Sequence, residues 1–326
     1  MRPARALPTL AFATVLSAGV ASAQVQIKFG HIGAPDSLFS QSAELFAARA
    51  NARLGGKAKI VIYGSSQLGG DTELLKMLKL GTVDLALLST VMTSVAPEFG
   101  VFEMPYLVRD RAHAARIADN VVRPMLAPIA EKAGYYILGV WENGFRQITN
   151  NKHPIVKPQD LQGLKLRVPK SVWRPKMFQA YGADPKPMSL KAVFVALQTG
   201  AVDAQENSLT QIYSQKFQDV QKYLSMTGHV YTPAYVTAGA NFARLPPDVQ
   251  KVLADTAKEV EPDVFRLAAR LDDELLDKIK QSGIKVNAVD KPAFVAASKD
   301  IYEEFSQQVP AGKGLIDKCL SLATGP

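Results

Sequence analysis

Arg167 is the residue whose type and setting most clearly suggest chemistry. It lies near the end of a strand pattern, Leu164–Val168, that Pro169 stops. A guanidinium is planar, permanently charged and forked, so it meets a carboxylate with two parallel hydrogen bonds. A backbone held by the following Val-Pro loses little order when that fork engages. On residue type alone, a salt bridge at a strand end is the plainer account of Arg167, and Arg146 after Gly144-Phe145 is likewise an ordinary strand-end charge. Asn207 can donate and accept at once, which suits a carboxylate or a hydroxyl, or simply a turn. Glu206 beside it would repel an anion if unpaired, so it is expected to fix an arginine. Ser89 and Thr90 follow an apolar strand and could bond ligand hydroxyls or cap a helix. Gln67 precedes Gly69-Gly70 between a strand and a helix, where backbone amides can face an anion and where a tight turn would also need glycine. Trp173 and Trp141 could present flat faces to a sugar or an aromatic acid, or pack in the core.

This set can bind an anion, but nothing in it is equipped to break a bond. The chain has no G-x-S-x-G elbow (Gly64-Ser65-Ser66 lacks the second glycine), no phosphate-binding Walker loop and no H-E-x-x-H pair. His31, His113, His153 and His229 are too far apart for a short-spaced zinc motif, so neither metal nor cofactor is expected. Cys319 is the only cysteine, which excludes an internal disulfide. The net charge of +8 is spread over scattered Lys and Arg with no basic run or basic-aromatic module, so nucleic acid is not an expected partner.

The elements that must position these residues alternate. Residues 25–29 form a strand pattern, and 37–54 a helix pattern stopped by Gly55-Gly56. A strand at 59–63 precedes a helix that Asp71 can cap and Gly81 can end, and an apolar strand follows at 83–88. A helical stretch at 111–132 and a strand at 135–141 complete one half. The second half repeats the alternation: strand 164–168, helix 171–181, a helix from Ser189 to Gln198, and a short strand at 201–205. This argues for α/β layers with mostly parallel sheets, whose ligands sit in loops after the strands. Pro246 to Gln281 reads as one amphipathic helix about 50 Å long, kinked by Pro262, with two helices broken at Glu261-Pro262 as the alternative. Ahead of all this, Arg2 and Arg5, an apolar stretch from Ala6 to Val20 and the small residues Ala21-Ser22-Ala23 match a cleaved export signal over residues 1–23. Its removal would leave 303 of 326 residues, carrying +6 once Arg2 and Arg5 are lost. That length exceeds a typical single core, so two lobes are expected.

Four stretches together resemble a known family. They are Ser66-Gln67-Leu68-Gly69-Gly70, Asn143-Gly144-Phe145-Arg146, the run from Asp160 to Pro169 (DLQGLKLRVP), and the run from Ala196 to Asn207 (ALQTGAVDAQEN). In this order and spacing the chain resembles the dicarboxylate-type (DctP) solute-binding proteins of tripartite ATP-independent periplasmic (TRAP) transporters, from Gln24 to about Leu322. It departs from the pattern at Ala192, Ala204 and Ser208, where Glu, Gly and Pro are usual.

The resemblance implies a two-lobed periplasmic binding fold with a long kinked helix spanning both lobes. One lobe would comprise 24–147 with about 236–277, the other 148–235 with about 278–326. It implies that Arg167 forks onto a ligand carboxylate, that Arg146 helps hold the anion near the lobe crossing, and that Leu190 packs against the ligand. Asn207, Ser89, Gln67 and Trp173 complete the expected ligand-binding set, with Glu206 behind them. The partners so implied are a small organic acid and the membrane subunits of a TRAP transporter. A periplasmic enzyme acting on an acidic molecule, or a receptor feeding a signalling protein, are the alternatives.

Overall fold

The computed structural model describes residues 24–323, so the expected export signal lies outside the described residues. Strand β1 (Val25–Gly30) leads to helix α1 (Leu38–Leu54). Ser37 caps α1 by accepting from Ser40 N, and Gly55 ends it in the left-handed region at φ 56. Strand β2 (Ala58–Tyr63), helix α2 (Asp71–Leu80) and strand β3 (Leu85–Leu88) follow, and β2, β1 and β3 pair in parallel. The face of α1 that carries Phe46 closes on Phe29 and Trp141, with the three rings edge to face at 5.6–6.4 Å. Trp141 is therefore core. Helices α3 (Arg111–Ile117) and α4 (Ala127–Lys132) are joined by a π-helical stretch, Ala118–Leu126. It contains Pro124, and the wider turn lets Ala127 N reach back to Val122 O past the missing proline donor.

Strand β4 (Tyr136–Asn150) is much longer than the apolar pattern ending at Trp141. Its continuation, Glu142 to Asn150, is polar yet almost wholly buried, which hydrophobic periodicity cannot register. Residues 136–145 pair antiparallel with β9 (Tyr231–Ala238), and Arg146–Asn150 pair antiparallel with β7 (Ala204–Ser208). The switch falls between Phe145 and Arg146, just past Gly144, where the register shifts and φ is 113, a value that favours glycine. Arg146 is thereby delivered to the second sheet.

In the second lobe β6 (Asp184–Pro187), β5 (Lys165–Val168) and β7 pair in parallel, with α5 (Trp173–Ala180), α6 (Val193–Gln198) and α7 (Leu209–Ser214) around them. Strand β8 (Tyr223–Ser225) pairs antiparallel with β4 and parallel with β10 (Lys285–Asn287). The expectation of mostly parallel sheets is thus corrected to a mixed one. The crossing strands β4 and β9 run against their neighbours because they carry the chain between lobes. Strand β9 joins the first sheet from Tyr231.

The amphipathic run is two helices, α8 (Pro247–Glu259) and α9 (Glu261–Gln281), broken at Val260. Pro262 falls in the first turn of α9, where no backbone donor is needed. Val264, Ala268 and Leu271 of α9 pack in the first lobe's core, while Ile279 joins the second lobe's cluster with Val193 and Ile212. One helix thus touches both lobes. Three helices, α10 (Lys291–Ala296), α11 (Lys299–Gln308) and α12 (Gly312–Ser321), close the chain. They also bridge the lobes: Tyr302 OH donates to Pro105 O at 2.8 Å, and Cys319 O sits 2.8 Å from His113 Nε2.

Candidate functional site

The parallel pairing of β5 with β7 sets Arg167 beside Gln205, so the C-terminal ends of both strands open on the same side. Arg167 is 3% exposed. Its Nε and Nη2 donate to Met188 O at 2.9 and 2.5 Å, which fixes the plane of the fork. Among the described residues no carboxylate forms an ion pair with it. Burial, aided by the guanidiniums of Arg146 and Arg174, brings its pKa down to about 9 against the pull of Glu206 and Asp71. It remains a cation at neutral pH, and its environment lacks a bonded counter-charge.

Arg167 lines a cavity of about 40 Å³ with Thr90, Val91, Met188, Leu190 and Asp71. Elements of both lobes meet here. A Cβ built on Gly70, at the start of α2, would lie 3.1 Å from Ser189 Oγ. Thr90 also lines a smaller neighbouring cavity with Ser89, Glu103 and Tyr235. The larger volume holds a few water molecules, far below the roughly 300 Å³ of a typical small-molecule site.

Behind Arg167 runs a fully buried ionic chain. Glu206 accepts from Arg146 Nε at 2.5 Å and Nη2 at 3.0 Å, from Arg174 Nη1 at 2.7 Å, and lies 3.1 Å from His229 Nε2. Arg174 in turn forks onto Glu103 at 2.9 and 3.0 Å, and Ser171 Oγ donates to the same carboxylate at 3.2 Å. Burial raises the Glu206 pKa, but the two guanidiniums override it and hold the group well below the usual carboxylate range. Burial keeps His229 neutral, with a pKa brought down to about 4. Arg146 and Arg174 are thus paired with Glu206 and Glu103, while Arg167 has no bonded carboxylate among the described residues.

The structure brings together Arg167, Leu190, Thr90 and Ser89, with Glu206 and Arg146 behind them. Ser89 Oγ donates to Pro233 O at 2.7 Å and accepts from Asn143 Nδ2 at 3.3 Å. Asn207, at the end of β7, is 3% exposed; its Oδ1 accepts from Ser208 N, and its Nδ2 has no partner among the described residues. Arg146 is engaged by Glu206 through both prongs. Two expected residues lie elsewhere. Gln67 is exposed on the turn before α2, its backbone N bonded to Gly64 O. Trp173 is packed edge to face on Phe305 at 5.1 Å and against Gly100, so its ring serves the core.

Sequence reasoning missed Asp71, Glu103, Arg174 and His229. Asp71 was expected to cap α2, but the cap position belongs to Gly70, whose N–H donates to Glu73 Oε2 at 2.9 Å. This leaves the Asp71 carboxylate unspent; its Oδ1 is buried with no hydrogen-bond partner. Arg174 sits in a short helix pattern with no local sign of burial, and its partners are 71 and 32 residues away. Among the described residues no group of three or more His, Cys, Asp or Glu could hold a metal ion, and no helix is long and apolar enough to cross a membrane.

Two α/β lobes that share the through-running strand β4 and enclose a cavity where they meet have the architecture of a periplasmic solute-binding protein. The chain belongs to the bacterial extracellular solute-binding proteins, family 7 (DctP), whose family pattern matches residues 29–308. It is 32% identical over 294 residues to the 2,3-diketo-L-gulonate-binding periplasmic protein YiaO of Escherichia coli, covering 89% of this chain and 90% of that one. The sugar-acid-binding protein DctPAm of Advenella mimigardefordensis, solved with galactonate, superposes with a TM-score of 0.88 at 31% identity, over 92% of this chain and 98% of that one. A TRAP periplasmic solute-binding protein of Sulfurospirillum deleyianum, solved with succinate, superposes with a TM-score of 0.87 at 32% identity, over 92% and 99%.

Proposed function

We propose that the chain is exported to the periplasm with loss of residues 1–23, captures a small organic acid there, and hands it to the membrane subunits of a TRAP transporter. The observation that carries this is Arg167: a buried guanidinium, oriented by Met188 O and with no carboxylate bonded to it among the described residues, at a cavity that both lobes line. The ligand's carboxylate takes the open side of that fork. Asn207 and Thr90 offer hydrogen bonds to its remaining polar atoms, and Leu190 gives an apolar wall. With the lobes as close as Gly70 and Ser189, the cavity has room for a few waters only, so the ligand enters when they part and is enclosed as they close around it at a wider separation than this. Contacts from both lobes exist together only in the closed form, so the ligand shifts the population toward it. The closed face is what the membrane partner reads. The galactonate and succinate bound by two similar proteins support a small carboxylate as the ligand, with either one acid group or two.

A thermal-shift screen of organic acids on residues 24–326 tests the reading, since ligand bound only to the folded state raises the melting temperature by mass action. At least one acid should give a saturable rise, and Arg167→Ala should weaken it by about 2–5 kcal/mol, roughly 30- to 5,000-fold. An Arg167→Ala protein that folds and binds the same acid with unchanged affinity would refute the assignment.

A further inference from the structure

We infer that Asp71 selects the ligand class at this site, admitting a monocarboxylate that carries a hydroxyl group and rejecting a dicarboxylate. The inference rests on the proposed seat of the carboxylate at Arg167. The cavity has one buried cation, Arg167, and across the lobe boundary one carboxylate with an oxygen buried and unbonded, Asp71 Oδ1. No salt bridge joins the two side chains, so Arg167 does not spend Asp71. A buried acceptor with no donor is costly, and the ligand group that repairs it is a donor, an alcohol O–H. A second ligand carboxylate in the same place brings no donor and meets like charge.

The other charges around the cavity do not change this. Glu73 lines it too, but its Oε2 is committed to Gly70 N and adds negative charge to the same wall. Lys170 lines it from an exposed position, where water screens a cation and makes its pairing weak. Burial raises the Asp71 pKa from its ordinary 3.8 to about 6, Arg167 opposing and Glu73 adding to the rise. Asp71 is therefore ionised at pH 7 and an acceptor, but held in an environment that already penalises its charge. Further negative charge beside it is unwelcome, while a donated hydroxyl hydrogen relieves it.

A matched pair of probes isolates the effect: erythronate and succinate have four carbons each, the first with one carboxylate and three hydroxyls, the second with two carboxylates and none. Titration calorimetry at pH 7.5 should show erythronate preferred by at least about 100-fold, the scale of one like-charge contact near 6 Å at the effective dielectric of a partly buried site. Asp71→Asn, which keeps shape and removes charge, should shrink that preference to 10-fold or less, mainly by improving succinate. Asp71→Ala should improve succinate as well, and covers the case in which the Asn variant folds poorly. Equal or tighter succinate binding by the unaltered protein, or a preference unchanged in both variants, overturns the inference. If Arg167→Ala still abolishes binding of the preferred acid in that event, the carboxylate seat stands and only the selection by Asp71 fails. Loss of neither acid on Arg167→Ala would instead sink the seat itself.

Discussion

Replacing Glu206 with Gln should destabilise the ligand-free protein more than any other single change of equal size in the second lobe. Glu206 is fully buried and holds both prongs of Arg146, one nitrogen of Arg174 and the ring of His229. The substitution keeps the volume and removes the charge. Before it, Arg146 and Arg174 share the Glu206 carboxylate; after it Arg174 keeps Glu103 as its charged partner, and Arg146 keeps only neutral acceptors, the backbone oxygen of residue 206 at 2.8 Å and the new amide oxygen. Removing one partner of a buried ion pair costs about 3–5 kcal/mol, because the stranded charge can neither reach water nor neutralise itself. For a chain of this size that is a fall in melting temperature of about 5–10 °C. Urea unfolding at pH 7.5 followed by circular dichroism reads the free energy, and scanning calorimetry reads the shift. Adding Arg146→Met to Glu206→Gln should restore at least 1 kcal/mol of the loss, since it removes the stranded guanidinium. A single variant within 0.5 kcal/mol of the original protein would refute the reasoning, as would a double variant that is the plain sum of its parts.

Asp71 gives a pH-dependent prediction opposite to the usual behaviour of a carboxylate. Its folded pKa of about 6 lies above its ordinary 3.8, so between those values the native state holds more protons and stability falls as pH rises. Asp71→Asn should therefore match the original protein at pH 4 and exceed it by about 1–2 kcal/mol at pH 7, the two-unit shift discounted for partial exposure; urea unfolding at both pH values checks this, and a loss at pH 7 would contradict it. Cys319 is buried, and burial pushes its thiol up to about 12. Ellman's reagent at pH 8 should find no reactive thiol in the native protein and one after denaturation, and fast native labelling would place the thiol at the surface.

Most of what positions the site was legible in residue order, for identifiable reasons. Ser37, Gly55 and Gly81 bound their helices as capping chemistry requires, and the apolar strands at 25–29 and 83–88 appear within two residues of their patterns. Arg167 stood out through the resemblance carried by the run DLQGLKLRVP; its residue type and strand-end position alone left a plain salt bridge as the simpler account. The second half of β4 was not, since Glu142, Asn143, Arg146 and Gln147 look like a loop until their distant partners are known. Asp71 was read as a cap, the usual task of such a residue; one position of offset, with Glu73 bonding Gly70 instead, changes its role from local structure to the cavity. Glu103, Arg174 and His229 carry no periodic signal, because their burial depends on one another rather than on an apolar face. Trp173 was read as a possible platform, but the space left by Gly100 makes it a core residue.

Strand β4 has one further consequence, for how the two lobes can move. Its backbone continues without a break from the first sheet into the second, bonded to β9 up to Phe145 and to β7 and β8 from Arg146 on. The passage between lobes therefore has no slack tether at this point; the connection is a stiff ribbon, and separating the lobes means flexing it. A ribbon allows rotation about one axis and resists shear and lengthwise slip. Each cycle of uptake and release should then retrace the same arc, returning Arg167 and Asp71 to the same facing positions every time the lobes shut.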